Sequence, residues 1–513
     1  MRRKRVLYCW IGLIVAWLFI LSSSVLAAEA KPTRGGTLKV GWVAQCKTLD
    51  PHKSVQWPER YILYCVFETL VDVDESFNIV PRLAVSWENP DKVTYKFNLR
   101  KGVKFHDGTD FDAEALKWNI ERILNPEFAS PQRALLEPYL KSVDIVDKYT
   151  VVFHLKQPYP PLLAALAERP GFMVSPTAVK KDGDKKFALN PVGTGPFKFD
   201  SWIPQAQLTV KRFEGYWDKG KPYLDAIEFQ EIPDPMVRQT MVRAGNVDII
   251  TDITAKEATE LKNEGKLKLV KKWPPARWYA LQWQVDKPPF NNRALREAVA
   301  YAIDREEINK KLFYGEVMAA VGPVPPGLWW SDKEFKGYSY NPELAKKKLA
   351  EAGFPNGFSY RFSVPNLQFI VQVCEMIQGQ LARVGIKMEF EMVNQSEAYA
   401  KILSGQTNWG ITNWTQRGDP HGILSILYHS KGSANSTKYN NPKVDKLLDE
   451  AAVLYDKSKR IPLYQEAVRT ITMDAPYVFI VYFPEWAVMN PKVQGYVWIP
   501  DLVPRFASLW KEK

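Results

Sequence analysis

The sequence is poor in the residues that most enzymes and metal sites need for their chemistry. It has five histidines and four cysteines among 513 residues. No histidines are spaced like zinc ligands; they are His52, His106, His154, His421 and His429. The sequence also has no G-x-S-x-G, H-E-x-x-H or P-loop motif, and no G-x-G-x-x-G after a strand pattern. We therefore expect no catalytic residue, no resident metal and no cofactor.

Long apolar runs are also scarce, and the one that occurs lies at the N-terminus. Basic residues at positions 2–5 precede an apolar run over 6–21, and alanines follow at 27, 28 and 30. This order is typical of a secretory signal peptide. An uncleaved membrane anchor is the alternative, but the run is short for a spanning helix and an alanine-rich site follows it. We predict a cleaved signal peptide at residues 1–28.

No block of lysine and arginine stands out, although the chain carries a formal net charge of +12. A dispersed excess of this kind does not indicate nucleic-acid binding, and it is compatible with an acidic partner. Removal of the predicted signal peptide, with Cys9, leaves three of the four cysteines, which cannot all pair. Cys374 lies on the apolar face of a predicted helix, so we expect a buried thiol. A disulfide between Cys46 and Cys65 stays open at this point.

What the sequence does contain is a central stretch, Arg277 to Leu312, around which the chain is organised. Its first part, 278–285, alternates aromatic and polar residues as a half-buried strand does. Asn291 or Asn292 then provides an N-cap for a helix. Apolar residues at helical spacing predict its buried face: Leu295, Ala298, Val299, Ala302 and Ile303. A second apolar strand, predicted over 477–483, leads the chain back.

Several short motifs occur in the order found in one known family. They are Thr48-Leu49-Asp50-Pro51, Tyr95 to Gly108, Gly193 to Phe197, Gly215-Tyr216-Trp217, the central stretch ending in Ala302-Ile303-Asp304-Arg305, and Trp414 to Pro420. Together they span nearly the whole mature chain. The sequence resembles the extracellular solute-binding proteins of the peptide/nickel/opine class, family 5, which serve ABC importers.

The resemblance implies an α/β, two-lobed periplasmic-binding-protein fold of the cluster C type, with three domains and a hinge between the lobes. Lobe 1 would contain a discontinuous domain formed by residues 29–60, 190–280 and 485–513, and an additional domain at 61–189. Lobe 2 would be formed by residues 281–484. The strands at 278–285 and 477–483 would be the hinge crossings.

The resemblance also implies where a solute would bind. In peptide-binding members a segment shortly after the Leu-Asp-Pro turn lies beside the ligand, and Val55, Gln56 and Trp57 match that segment. Gln132 follows a Ser-Pro pair at a position that is usually aromatic in oligopeptide binders. In lobe 2, Trp414 matches a tryptophan that lines the cleft. Thr415, directly after it, belongs to the same candidate site.

Two departures concern the charged ends of the solute. Peptide-binding members hold the ligand ammonium with an aspartate a few residues after this tryptophan, where Gln416 and Arg417 stand here. Dipeptide-binding members hold the carboxylate with an arginine before a proline, where Val364 stands. Arg417 would favour an acidic group, or else would form a salt bridge with Asp419 or another structural carboxylate. His421 follows an Asp-Pro pair as in nickel-binding members, but one histidine holds nickel weakly without a chelator.

We therefore predict a periplasmic protein that captures a peptide or peptide-like solute with an acidic group. It would deliver the solute to the permease and ATPase of an ABC importer in the inner membrane. A nickel chelate, an opine or an oligosaccharide is the alternative ligand for the same fold. A secreted hydrolase is the alternative of another class, disfavoured because no nucleophile paired with a base is present. We expect a monomer that binds no nucleic acid.

Overall fold

The structure is a computed structural model that describes residues 31–42, 46–55, 58–251, 253–394, 397–398, 400–401, 409–499 and 501–512. The predicted signal peptide at 1–28 lies outside the described residues. Within those ranges, no helix combines the length and the apolar character that crossing a membrane requires.

The strands and helices follow one another along the whole described chain. The strands, numbered β1 to β19 in chain order, are Thr37–Trp42, Val71–Val73, Ile79–Pro81, Ala84–Glu88, Thr94–Leu99, Leu140–Asp147, Thr150–Leu155, Phe197–Ile203, Gln207–Arg212, Ala226–Glu231, Ile249–Thr251, Lys268–Trp283, Met318–Ala319, Phe358–Pro365, Ile386–Val393, Trp409–Thr415, Tyr477–Met489, Val493–Gln494 and Trp510–Lys511. The helices, numbered α1 to α13, are Arg60–Val66, Ala113–Leu124, Leu162–Leu166, Pro176–Phe187, Pro235–Arg243, Ala255–Glu264, Arg293–Ala302, Arg305–Leu312, Pro342–Glu351, Gln368–Ala382, His421–Tyr428, Pro442–Ala452 and Lys457–Asp474.

The largest sheet runs through both lobes. Its strand order is β16–β12–β17–β11–β1–β10–β9–β8, and β13 pairs with β17. Strand β1 is parallel to β10 and β11, whereas β12 and β17 are antiparallel to each other. A four-stranded sheet, β4–β5–β7–β6, lies in the predicted additional domain, and the parallel pair β14–β15 lies in lobe 2. This mixture of parallel and antiparallel strands with helices is the α/β class that we predicted.

Strands β12 and β17 connect the two lobes. On the lobe-1 side, β11 pairs with Ala487–Met489 of β17. On the lobe-2 side, β16 pairs with Arg277–Trp283 of β12. The predicted strands at 278–285 and 477–483 are therefore the lobe-2 parts of two longer strands. The division into domains at the predicted boundaries stays a prediction.

The pairing of β12 with β17 is irregular where the two lobes meet. The ladder shifts register between Lys272 and Arg277 of β12, opposite Glu485 and Phe483 of β17. Three prolines stand in this interval of the two strands: Pro274, Pro275 and Pro484. Because proline has no backbone N–H, it cannot donate to a ladder. Both strands thus continue from one lobe to the other, but the hydrogen-bonded ladder between them is interrupted between Lys272 and Arg277.

The helix of the central stretch, α7, begins and packs as its residues predict. The side chain of Asn292 accepts a hydrogen bond from the backbone N–H of Ala294 and so caps the helix. The predicted apolar face is completely buried at Leu295, Ala298, Val299 and Ala302. Ile303 is buried too, but it is the extended C-cap residue because α7 ends at Ala302.

All three cysteines of the described chain are free thiols, so Cys46 and Cys65 form no disulfide. Cys374 is fully buried in the core of lobe 2 with Ile370 and Ile377, as predicted. Burial raises the pKa of all three thiols, which therefore stay protonated at neutral pH.

Arg305 ties the end of α7 to the strand that returns to lobe 1. Its Nε donates to the carbonyl oxygen of Phe479 in β17 over 2.6 Å. Its Nη1 donates to the carbonyl oxygens of Ala300, Ile303 and Tyr338. Burial lowers the pKa of Arg305 to about 10, which still leaves it charged at neutral pH. One guanidinium thus satisfies carbonyl groups that the end of the helix leaves unpaired.

We expect Arg305→Ala to destabilise lobe 2, because the substitution leaves buried carbonyl oxygens without donors. The free energy of unfolding should fall by roughly 2–4 kcal/mol, which calorimetry would detect as a lower melting temperature. Arg383→Ala is the matched control, since the Arg383 side chain is exposed and its contact with Glu307 spans 3.6 Å. Equal melting temperatures for the two variants would contradict this role of Arg305.

Candidate functional site between the lobes

The two lobes are in contact along the cleft. A Cβ added to Gly418, in the loop after β16, would lie 3.7 Å from the ring of Phe77 and 3.8 Å from Cβ of Ala164. The hydroxyl of Tyr455 in lobe 2 donates to the carbonyl oxygen of Lys92 in lobe 1 over 2.7 Å. The arrangement is therefore closed, with lobe 2 against the predicted additional domain.

Buried polar contacts hold the lobe-1 wall of the cleft. In the Leu-Asp-Pro turn, Asp50 accepts two hydrogen bonds from Arg122, over 3.2 and 2.6 Å. A few residues later the hydroxyl of Ser54 donates to Glu59 over 2.6 Å and accepts from Nε of Arg169 over 3.1 Å. Charge-assisted hydrogen bonds of this kind are stronger than neutral ones, so the turn and the residues after it are held firmly.

The predicted ligand segment follows directly after this turn. Val55 is 63% exposed, and Gln56 and Trp57 lie outside the described residues. Gln132 is buried, and its side-chain amide donates to the carbonyl oxygen of Ser54 over 2.8 Å. Gln132 thus holds the backbone of the residue that precedes Val55. Direct contact of these side chains with a solute stays a prediction.

Strand β16 brings the lobe-2 candidates towards the same cleft. Trp414 and Thr415 are half-buried and pair with Trp278 and Arg277 of β12. Trp414 packs against the core that joins the predicted additional domain to lobe 2. Because β16 is paired along its length with β12, a strand that crosses between the lobes, the position of these residues depends on that pairing rather than on the loop.

The loop after β16 contains a buried ion pair that does not involve Arg417. Asp419 accepts two hydrogen bonds of 2.8 Å from the guanidinium of Arg460. Its Oδ1 also accepts from the backbone N–H of His421 over 2.9 Å. Arg417 itself makes no hydrogen bond or ion pair with the described residues. The salt bridge between Arg417 and Asp419 that we considered as an alternative is therefore wrong.

Arg417 instead faces a group of charged side chains from lobe 1, centred on Glu168. Arg60 Nη2 lies 2.9 Å from Glu168 Oε1 and 2.8 Å from Asp501 Oδ2. Burial lowers the pKa of Arg417, and Arg60 lowers it further while Glu168 raises it. At Arg169 burial, reinforced by Arg60, lowers the pKa to about 10. We call Arg60, Glu168, Arg169 and Arg417 the cleft arginine cluster.

Glu168 is therefore close to the charges of several guanidinium groups, of which Arg60 pairs with it directly. Burial raises the pKa of Glu168, but the charges of Arg60 and Arg417 outweigh that effect, so its pKa lies below the usual range. The carboxylate is thus ionised at neutral pH. A guanidinium that loses water without gaining a close partner is unfavourable, since its desolvation is not offset. Such a place favours an anionic group that comes from outside the chain.

His421 stands at the start of α11, close to the same loop. It is buried, and its Nδ1 has no hydrogen-bond partner in the part of the chain that the structure describes. Its ring meets that of Tyr159 edge-on with 6.4 Å between centroids. Burial lowers the pKa of His421, so the imidazole is neutral at pH 7. No three His, Cys, Asp or Glu side chains among the described residues are grouped to hold a metal ion.

A separate cavity of about 170 Å³ lies within lobe 1. Its lining includes Asp72 and Arg505, which are 3.2 Å apart, and none of the predicted site residues. Arg505 also lies 2.9 Å from Asp501, the second partner of Arg60. The cavity is therefore connected to the cleft arginine cluster by ion pairs.

Glu168, Arg60 and Asp501 did not stand out in the sequence, because they are distant from one another along the chain. The one local signal is that Glu168 and Arg169 directly follow the apolar segment Leu162–Ala167 and precede a proline. Charged residues at the end of a buried helix indicate a polar contact, but they do not indicate with which lobe.

Two lobes that share one sheet through β12 and β17, with a charged cleft between them, define a two-lobed α/β protein that binds a solute. The family model of the bacterial extracellular solute-binding proteins, family 5 Middle, matches residues 78–435. The glutathione-binding protein GsiB of Salmonella paratyphi A is 31% identical over 493 residues, covering 94% of this chain and 95% of that protein.

Two solved structures support the same assignment. The ABC transporter-associated periplasmic binding protein DppA from Helicobacter pylori, in complex with the peptide STSA, matches with a TM-score of 0.85 and 27% identity, covering 94% of this chain and 99% of that chain. AgaA from A. tumefaciens R10, in complex with agropinic acid, matches with a TM-score of 0.81 and 28% identity. The match covers 93% of this chain and 99% of the AgaA chain.

The chain belongs to the bacterial extracellular solute-binding proteins of family 5. Proteins of this family bind solutes rather than catalyse reactions, and they deliver the solutes to the permease and ATPase of ABC importers. The predicted family, the predicted fold class and the transport function are thereby confirmed. The hydrolase alternative finds no support in any of these relatives.

The contacts of Asp419 and Arg417 predict different effects of their substitution on the stability of the ligand-free protein. Asp419→Ala leaves Arg460 buried without its carboxylate, which should cost about 3–5 kcal/mol of folding free energy. Arg417→Ala removes no hydrogen bond within the described chain, so its melting temperature should stay close to that of the wild type. Calorimetry of the ligand-free variants measures both. If Arg417→Ala melts as low as Asp419→Ala, Arg417 has a structural role instead.

Proposed function

We propose that the protein captures a peptide-like solute with an acidic group between its lobes and delivers it to an ABC importer. The observation that carries this proposal is Arg417, a guanidinium at the cleft without a hydrogen-bond or ion-pair partner among the described residues. A carboxylate of the solute would supply that partner in a forked geometry. The names of two relatives, one for glutathione and one in complex with the peptide STSA, support a peptide-like solute.

The same arrangement explains why closure would depend on the solute. In the closed arrangement Arg417 lies near Arg60 and Glu168 but contacts neither closely. Closing the lobes without a solute therefore buries a guanidinium at the cost of its hydration. A bound carboxylate offsets that cost in the closed state only, and a ligand with such a differential affinity shifts the equilibrium towards closure.

An opine is the second candidate solute. AgaA, at 28% identity over nearly the same length, was solved in complex with agropinic acid, and an acid is what Arg417 would select. A nickel chelate would have to bring its own ligands to His421, since no further metal ligands are grouped around it in the described chain. For an oligosaccharide, Trp414 would provide a stacking surface.

We also propose that the protein is exported to the periplasm after cleavage of the signal peptide at residues 1–28 and acts as a monomer. The relative from Helicobacter pylori is described as periplasmic, which supports this location. The division into the discontinuous domain, the additional domain at 61–189 and lobe 2 at 281–484 belongs to the same proposal. Sheet order supports it, since β4–β5–β7–β6 lies wholly within 61–189.

Arg417→Ala should weaken binding of the solute by at least two decades. Breaking a buried arginine–carboxylate pair on one side costs roughly 2–5 kcal/mol. Trp414→Ala should also bind more weakly, because it removes apolar contact area from the cleft. Isothermal titration with glutathione and with the peptide STSA measures both effects, with Arg383→Ala as the control. Near-native affinity of Arg417→Ala for a probe that the wild type binds would remove Arg417 from the site.

Gly418 offers a direct test of lobe closure. A Cβ on Gly418 would lie 3.5 Å from Cγ1 of Val73, its nearest neighbour, which is an ordinary contact distance. The lobes of Gly418→Ala should therefore close normally. Gly418→Trp should hold the lobes apart, because the indole would collide with Phe77 and Ala164. In small-angle scattering, saturating glutathione or STSA should reduce the radius of gyration of the wild type and of Gly418→Ala but not of Gly418→Trp. An unchanged profile of the saturated wild type would contradict closure.

A further inference from the structure

Among the described residues, one carboxylate oxygen of Glu168 accepts a hydrogen bond and the other has no hydrogen-bond partner. Its Oε1 accepts a hydrogen bond from Arg60 Nη2 over 2.9 Å. Its Oε2 is buried and accepts no hydrogen bond within the described chain. A buried carboxylate oxygen without a donor is costly, and native structures retain such groups where a bound molecule or a function compensates. Glu168 is thus an acceptor that the described part of the chain leaves unsatisfied.

The free oxygen of Glu168 belongs to the wall of the cleft that faces Arg417. Helix α3, Leu162–Leu166, leads into Glu168, and its Ala164 lies 3.8 Å from the position of a Cβ on Gly418. Arg417 immediately precedes Gly418, so the two charged side chains extend from backbone segments that touch across the cleft. They are near enough that each shifts the pKa of the other, yet they form no ion pair.

We propose that Glu168 binds the ammonium group of the solute while Arg417 binds its carboxylate. This inference rests on the function proposed above and specifies its solute class. Because the two protein charges lie close together, the two charges of the solute must also be close together. A solute with an α-amino-acid head group, whose ammonium and carboxylate share one carbon, meets that requirement. Free amino acids and γ-linked peptides carry this group.

An ordinary peptide meets the requirement less well. An extended chain spans up to roughly 3.3–3.6 Å for each residue, so the ammonium and carboxylate of a tri- or tetrapeptide lie too far apart to reach both side chains. The proposal also accounts for the departure in lobe 2, where Gln416 and Arg417 replace the aspartate that holds the ammonium in peptide-binding members. Here the carboxylate for the ammonium comes from lobe 1, and lobe 2 supplies the cation.

The competing interpretation is that Glu168 only balances the charges of Arg60 and Arg417. In that case acetylation of the solute's amine would change the affinity equally in the wild type and in a variant without the Glu168 carboxylate. The two interpretations therefore differ in the coupling free energy between the solute's amine and the Glu168 carboxylate. A cycle that changes each group alone and both together measures this coupling.

The cycle uses glutathione, glutathione acetylated on its α-amine, and the peptide STSA as probes in isothermal titration. The wild type should bind glutathione at least tenfold more tightly than the acetylated form. Glu168→Gln should lose at least tenfold for glutathione and should no longer discriminate between the two. Glu121→Gln, an exposed glutamate of the same domain paired with Lys117, should behave as the wild type does.

Each outcome has a distinct consequence. If Glu168→Gln keeps the wild-type preference for the free amine, the role of Glu168 is overturned while the proposed function stands. If the wild type binds STSA more tightly than glutathione, the head-group class is overturned and peptide capture stands. If it binds none of the three probes, both proposals fail. If Glu168→Gln does not fold, the wild type and Arg417→Lys are each titrated with glutathione and with its acetylated form. The inference is overturned if each of these two proteins binds both forms with equal affinity.

Discussion

The antiparallel pairing of β12 with β17 is the interaction on which the rest of the molecule depends. Lobe 1 adds β11 to one end of this pair, and lobe 2 adds β16 and β13 to the other. A single ladder therefore sets the relative position of the two lobes. Where it passes between them, prolines remove donors and the register shifts. The lobes are thus linked by two covalent crossings that can bend at one place without losing their outer hydrogen bonds.

The cleft that this ladder creates is governed by the cost of removing charge from water. The loop after β16 keeps Asp419 satisfied by Arg460, so that loop is rigid without help from its neighbour Arg417. Arg417 and the free oxygen of Glu168 remain as unsatisfied groups of opposite charge on opposite walls. In the proposed function, a solute between the lobes completes both groups and so offsets the cost of desolvating them. In that proposal the same two groups provide both the selectivity for the solute and the dependence of closure on it.

Residues whose contacts lie within a few positions along the chain could be interpreted from the sequence. Asn292, Asp112 and Asn341 were readable as helix caps because capping depends on a hydrogen bond within three residues. The buried face of α7 followed from helical periodicity alone. Arg305 was part of a recognisable motif, but its bonds to carbonyl groups from three different segments could not be read from spacing. The contact of Gln132 with a ligand stays a prediction, and its hydrogen bond to the backbone of Ser54 could not be read from the sequence.

By itself the sequence determined the helix starts, the strands on either side of the lobe boundary, the buried thiol of Cys374 and the family. These depend on periodicity, caps and short motifs, all of which act over a few residues. Only the tertiary structure decided which charges meet. It paired Asp419 with Arg460 and not with Arg417, kept Cys46 and Cys65 as separate thiols, and brought Glu168 of lobe 1 close to Arg417 of lobe 2. Such pairings depend on how distant segments are packed, and a charged side chain has no local pattern that identifies its partner.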